Sequence, residues 1–238
     1  MQSLIDQRVL VVGGSSGIGL AVARQTAALG AAVTIAARSQ VKLDAALSHL
    51  GGKAVAVILD TGDEQAVERL FAGDQQPWDH VVVSAARTPT GAVRSLSLAD
   101  ARTAMESKFW GAYRIARAAK IREGGSLTFI SGVLSVRPSA SSVLQGAINA
   151  ALEALARGLA LELAPIRVNA VSPGLIATPL WSGLPQDKRE AMFSDAARRL
   201  PARRTGEPED VANAVTYLLT TPFATGSTIR VDGGGSIA

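Results

Sequence analysis

The sequence predicts an α/β fold: a doubly wound, seven-stranded parallel sheet covered by helices on both faces. Three observations lead there. Short apolar or β-branched runs alternate with longer Ala- and Leu-rich stretches of helical spacing. The short runs are almost continuously hydrophobic, as in strands buried on both sides. A glycine-rich turn also joins the first run directly to the first helical stretch. Strands are expected at residues 8–14, 32–38, 53–60, 80–85, 126–131, 166–172 and 227–232, and their six connections imply crossover helices. No repeat, charge block or proline-rich hinge divides the 238 residues, so a single domain spanning 1–238 is expected.

Composition narrows the chemistry. Apolar residues make up 47% and charged residues 18%, enough hydrocarbon to offset chain entropy and to exclude a disordered or fibrous chain. The absence of cysteine removes disulfides, thiolate nucleophiles and sulfur-bound zinc, and points to the cell interior. His49 and His80 are too far apart in the chain to form a helical metal pair, and no metal site is expected. The net charge is +4, with arginines scattered from Arg8 to Arg230, which does not indicate a nucleic-acid partner. No uncharged apolar run reaches the ~18 residues of a membrane span, and the amino terminus lacks the layout of an export signal. A cytoplasmic protein acting on a small molecule is expected.

The first strand runs into Gly13-Gly14-Ser15-Ser16-Gly17-Ile18-Gly19, and a helix begins at once. Glycines there allow tight turning and close approach of a pyrophosphate, whose charge meets the unpaired amides of the helix start. Gly13, Ser15, Ser16, Gly17, Ile18 and Gly19 are therefore candidate cofactor contacts. At the end of the second strand stand Arg38 and Ser39, and no acid occurs between Asp6 and Asp44. A carboxylate there would hold the ribose hydroxyls of NAD, whereas a guanidinium suits a 2′-phosphate, so NADP(H) is favoured over NAD(H). Asp60 closes the third strand and either accepts from the adenine amino group or caps the helix starting near Glu64.

His80 is expected just ahead of the fourth strand, at the sheet end away from the cofactor, in a structural role. His49 ends a surface helix and is assigned no catalysis. A helix predicted over 98–119 carries the stripe Ala101, Ala104, Met105, Lys108, Ala112, Ile115 and Ala119, which turns an ammonium inward. Either partial burial makes Lys108 a usable acid, or its stem lies on the apolar face while the ammonium reaches water. Ser131 closes the fifth strand and either presents a hydroxyl to a substrate oxygen or starts a turn. A further helix presents Leu144, Ile148, Ala151, Leu152, Leu155 and Leu159 on one face. The loops 133–143 and 173–186 follow strands and should border the ligand crevice. Beyond Thr178, the segment with Leu180, Trp181, Leu184, Met192 and Phe193, followed by Arg198, Arg199, Arg203 and Arg204, is either a lid over an apolar substrate or a packing and subunit contact.

Gly13 through Gly19, Asp60, Val81 through Ala86, the run Ile166-Arg167-Val168-Asn169-Ala170-Val171-Ser172-Pro173-Gly174, Thr178, the stretch Gly206-Glu207-Pro208-Glu209-Asp210-Val211-Ala212 and Val231-Asp232-Gly233-Gly234 resemble the short-chain dehydrogenase/reductases over essentially the whole length. The resemblance implies a Rossmann-like NAD(P)-binding domain and a homotetramer or homodimer. It implies that Gly13, Ser16, Gly17, Ile18 and Gly19 touch the nucleotide and that Asp60 with Thr61 holds the adenine. By the same likeness, Ser84, Ala85 and Ala86 line the middle of the cofactor, and Pro173, Gly174, Ile176 and Thr178 surround the nicotinamide.

The catalytic positions depart from that family. Its members use a tyrosine four residues before a lysine, helped by a serine and an asparagine. Registration on Asn149-Ala150-Ala151-Leu152-Glu153-Ala154-Leu155 places Gln145 at the tyrosine and Asn149 at the lysine. Gly132, beside Ser131, stands at the serine, and Lys108 at the asparagine. The two tyrosines, Tyr113 and Tyr217, are followed four residues later by Arg117 and Thr221, so no Tyr-x-x-x-Lys exists. A positioned general acid contributes roughly 10²–10⁴-fold, which an amide cannot replace by proton transfer. It can only polarise an oxygen by donating an N–H. Two functions remain: an NADP(H)-dependent oxidoreductase for an apolar carbonyl or alcohol, with an atypical site drawn from Lys108, Ser131, Gln145 and Asn149, or a catalytically inactive NADP(H)-binding protein with a sensing or structural role.

Overall fold

A computed structural model describes residues 3–52, 54–73 and 76–238. Among them all seven expected strands form one parallel sheet: β1 (Arg8–Val12), β2 (Ala32–Ala37), β3 (Val55–Ile58), β4 (Trp78–Val83), β5 (Ile121–Ile130), β6 (Arg167–Pro173) and β7 (Thr228–Val231), in the spatial order β3-β2-β1-β4-β5-β6-β7. The chain winds outward from β1 through β2 to β3, then crosses back to lay β4 against the other side of β1. Val12 consequently pairs with both Ala36 and Val83. This reversal leaves a crevice above the carboxyl ends of β1 and β4.

Alternation within each strand feeds two cores. Val9, Val11, Val33, Ile35 and Val171 face one side, packing on α1 (Gly17–Ala28), α2 (Gln40–Leu47) and α8 (Pro208–Thr220). Leu10, Val12, Leu127, Phe129 and Val168 face the other, against α3 (Glu64–Ala72), α5 (Gly111–Ala118) and α6 (Val143–Glu162). The buried Arg167 guanidinium crosses the end of α8 and donates to Leu218 O and Leu219 O, giving two terminal carbonyls a cationic partner.

Several boundaries differ from expectation for local reasons. The first strand stops at Val12, because Gly13 takes φ +88° and donates its N–H to Ala36 O at 2.7 Å. The fourth begins at Trp78, so His80 lies within the strand rather than ahead of it. Its ring nitrogens meet Ser126 Oγ and Gln7 Oε1, each at 2.8 Å. Burial, reinforced by the Arg167 charge, lowers its pKa to about 4. The fifth strand starts five residues early, at Ile121. The third is confined to Val55–Ile58, and residue 53 of the expected strand lies outside the described residues. The helix near Glu64 is capped by Asp63, which accepts from Ala66 N at 3.0 Å, not by Asp60.

The helix expected over 98–119 is two α segments, α4 (Leu98–Met105) and α5, joined by a π-helical turn over Glu106–Trp110. A single 3.6-residue period does not reveal such an extra residue per turn, and π turns frequently mark functional positions. In α6 the buried face is Ile148, Asn149, Leu152, Glu153, Ala156 and Leu159, while Leu144, Ala151 and Leu155 only flank it. Two polar side chains thus occupy a face expected to be apolar. Among the described residues, no helix is long and apolar enough to cross a membrane.

Candidate active site

The glycine turn is sterically built around absent side chains. A Cβ on Gly19 would stand 2.1 Å from Gly13 O, and one on Gly13 would stand 2.5 Å from Ala85 N. Gly17, at φ +52°, lies so close to Thr178 that an added Cβ would touch it at 3.4 Å. Three segments far apart in sequence therefore converge: the turn, Ser84-Ala85-Ala86 after β4, and the loop after β6. Ser16 occupies the cap position of α1, but its side chain makes no capping bond and the first helical turn holds no acid. The amides of that turn are left to an outside acceptor. Ser15 and Ile18 are half-buried beside it, with Ile18 packed on the core.

The loop after β6 is pinned at both ends. Gly174 lies so close to Asp232 that a Cβ would come within 2.7 Å of Asp232 Cα. Ile176 is buried and bridges to Gly206, and Trp181 Nε1 donates to Ile176 O at 2.9 Å. Thr178 then starts a short 3-10 turn, Pro179–Trp181. At the other end of the crevice, Arg38 is exposed with no hydrogen bond or ion pair among the described residues, and Ser39 caps α2 by accepting from Lys42 N. Asp60 is exposed and accepts from Gly62 N at 2.9 Å, whereas Thr61 is buried against Gly111.

The four expected catalytic positions come together at the ends of β5 and α6. Lys108 Nζ donates to Ser131 O and to Asn149 Oδ1, each at 2.7 Å. The half-buried Lys108 side chain thus turns its ammonium toward the ends of β5 and α6. Burial pulls the Lys108 pKa down to about 8, partly opposed by the Glu153 carboxylate. Asn149 can approach because position 132 has no side chain: a Cβ on Gly132 would sit 2.8 Å from Asn149 Nδ2. The Ser131 hydroxyl, buried, donates to Glu153 Oε1 at 2.9 Å and is also within 3.2 Å of Val171 O. Gln145 Nε2 donates to Thr88 O at 2.8 Å, which engages one of its two N–H groups.

Sequence reasoning missed Glu153, which accepts from both Ser131 Oγ and Ser135 Oγ, the latter at 2.7 Å. A signal existed. Gln145, Asn149 and Glu153 recur every four residues along the first, mostly apolar part of the helix, which aligns three polar groups on one stripe.

The family model described as enoyl-(acyl carrier protein) reductase matches residues 12–236. The short-chain dehydrogenase/reductase ATR9 of Stachybotrys chlorohalonatus is 33% identical over 253 residues, covering 98% of each chain. This chain belongs to the short-chain dehydrogenase/reductase family. Among solved members, a small-chain dehydrogenase in complex with NADPH is 35% identical with a TM-score of 0.83, covering 98% of this chain and 99% of that one. A short-chain dehydrogenase/reductase from Brucella melitensis superposes with a TM-score of 0.93 at 26% identity over the full length of both chains. Within this short-chain dehydrogenase/reductase, the ammonium enters the cleft from the π turn before α5, and an asparagine on α6 receives it.

Proposed function

We propose that this protein is an NADP(H)-dependent oxidoreductase that moves hydride to or from a small carbonyl- or alcohol-type substrate and moves the accompanying proton at Lys108 Nζ. The observation that carries this reading is the pairing of Lys108 with Asn149 and Ser131 O, which places a protonated amine of lowered pKa in the cleft. An ammonium has three N–H groups, and two are engaged, so the third is free for an incoming oxygen. Asn149 orients the amine, and Ser131 supports it through its carbonyl while its hydroxyl is committed to Glu153. Gln145 keeps one N–H with which to polarise the same oxygen.

The fit to the cofactor rests on the glycine turn, packed so tightly that a Cβ at Gly13 or Gly19 would strike the backbone of Ala85 or Gly13, and on the uncapped start of α1. Bound nicotinamide dinucleotide would supply or accept the hydride. Gly13 through Gly19 would hold its pyrophosphate and Arg38 a 2′-phosphate. Asp60 with Thr61 would hold the adenine, Ser84 through Ala86 would line its centre, and Pro173, Gly174, Ile176 and Thr178 would enclose the nicotinamide. The NADPH complex of a 35% identical relative supports that choice.

The test is a titration with NADPH and NADH followed by tryptophan fluorescence, then NADPH oxidation with carbonyls, imines, quinones and enones. Tighter binding of NADPH, lost in Arg38→Ala, and turnover reduced at least ~10²-fold in Lys108→Met are expected. Unchanged turnover in Lys108→Met would remove the lysine from the mechanism. The second reading, a binding protein without catalysis, is favoured by the amide at position 145, and tight NADPH binding without turnover on any of these substrates would establish it. Self-association as a dimer or tetramer in the cytoplasm is part of the proposal. The exposed Trp110 and Tyr113, packed with Phe109 on the π turn and α5, offer an apolar contact that sedimentation of a Trp110→Glu variant would probe.

A further inference from the structure

The rim of the cleft is charged in one direction. The loops that follow β4, β5 and β6, residues 84–97, 131–142 and 174–185, contain no aspartate or glutamate, yet they carry Arg87, Arg94 and Arg137. All three arginines are exposed, and their guanidinium groups make no hydrogen bond or ion pair among the described residues. Two of them are placed beside the reacting centre by backbone ties. Arg87 N donates to Ser107 Oγ at 2.7 Å, next to Lys108. Arg137 lies two residues past Ser135, whose hydroxyl reaches Glu153, and its N–H closes the turn on Val133 O at 2.8 Å.

The two loops are also joined to each other. Thr90 Oγ1 meets Ser142 Oγ at 2.7 Å and Ser141 O at 3.2 Å, and Gln145 bonds to Thr88 O. Arg87 and Arg137 therefore belong to one continuous rim rather than to separate surfaces. The carboxylates that follow the first of these loops in the chain are engaged elsewhere, Asp100 with Ser97 and Glu106 with Arg114. Across the cleft, the loop after β6 is uncharged and presents the exposed Leu180 and Leu184.

We infer that the substrate is an amphiphilic anion: an apolar carbonyl compound whose carboxylate or phosphate is held at the cleft mouth by Arg87 and Arg137, with its hydrocarbon against Leu180 and Leu184. Guanidinium groups suit either anion through paired N–H donors. An uncompensated positive rim also draws anions toward the site from solution. This inference deepens the oxidoreductase reading and rests on it. The cofactor titration above tests that reading separately.

The experiment uses protein saturated with NADP⁺, so that the glycine cradle and Arg38 are already occupied. Calorimetric titrations are made with hexanoate, with its neutral counterpart hexanamide, and with inorganic phosphate. Saturable binding of hexanoate at least tenfold tighter than hexanamide is expected. It should weaken at least tenfold in Arg87→Ala/Arg137→Ala, weaken at high salt, and remain unchanged in Arg102→Ala, an exposed arginine on α4. Phosphate binding that matches or exceeds hexanoate assigns a phosphate-bearing substrate, and the reverse assigns a carboxylate. Equal affinity for hexanoate and hexanamide, anion binding indifferent to the double variant, or no saturable binding of any probe would overturn the inference.

Discussion

Replacing Lys108 by methionine should change how the protein's stability depends on pH, by an amount the structure sets. Burial lowers the lysine from its usual 10.5 to about 8, against the attraction of Glu153. Between those two values the unfolded chain holds more protons than the folded one, so unfolding free energy rises with pH across that window. Below pH 8 the cost of the buried ammonium is present in full, and above 10.5 it has gone. At ~1.4 kcal/mol per unit, the gain over the window is on the order of 3 kcal/mol. Methionine abolishes this slope. It also leaves Asn149 Oδ1 and Ser131 O without their donor, costing about 1–3 kcal/mol for each group, but that penalty is independent of pH. Urea unfolding of both proteins at several pH values across the window separates the two effects, because the rest of the chain is common to both. Parallel curves would mean that the ammonium is not enclosed, and the proton-transfer assignment would fall with it.

Glu153→Gln removes the charge that holds the Lys108 pKa up, so the lysine should titrate lower still. Nitrogen-15 NMR of labelled lysine reads that shift directly, and Glu153→Asp should restore part of it. His80, lowered to about 4, destabilises the fold as pH falls from 6.5 toward that value, because the unfolded chain takes up the proton first. A loss on the order of 3 kcal/mol over that range is expected in the wild type and should be absent in His80→Gln, by thermal or urea melts. Gly19→Ala should abolish NADPH binding and lower the melting temperature, since its Cβ would lie 2.1 Å from Gly13 O. Retained affinity would show that the turn can relax.

Individual positions show where linear reasoning succeeds and where it stops. The strands were legible because burial on both faces demands uninterrupted hydrophobic runs, of which Val9 through Val12 and Val81 through Val83 are examples. Strand ends were less so: Trp78 and Ile121 begin strands where Pro77 and the glycines at 124 and 125 suggest loops. The glycine turn was legible because only glycine tolerates its φ values and close approaches. Glu153 escaped notice because a carboxylate on a helix ordinarily faces water, and its burial is tolerable only with Ser131 and Ser135 as donors.

Amino-acid order alone therefore dictated the parallel α/β architecture, the strand-turn-helix with its uncapped amides, and the lack of a Tyr-x-x-x-Lys pair, since each is a local property of periodicity, conformational freedom or residue type. Tertiary packing settled what stands in the cleft. Lys108 and Asn149 are 41 residues apart, and their bond exists because the fold lays the π turn beside α6 while Gly132 leaves room for the asparagine. Hydrogen bonds and desolvation depend on neighbours in space, and those neighbours were chosen by the fold.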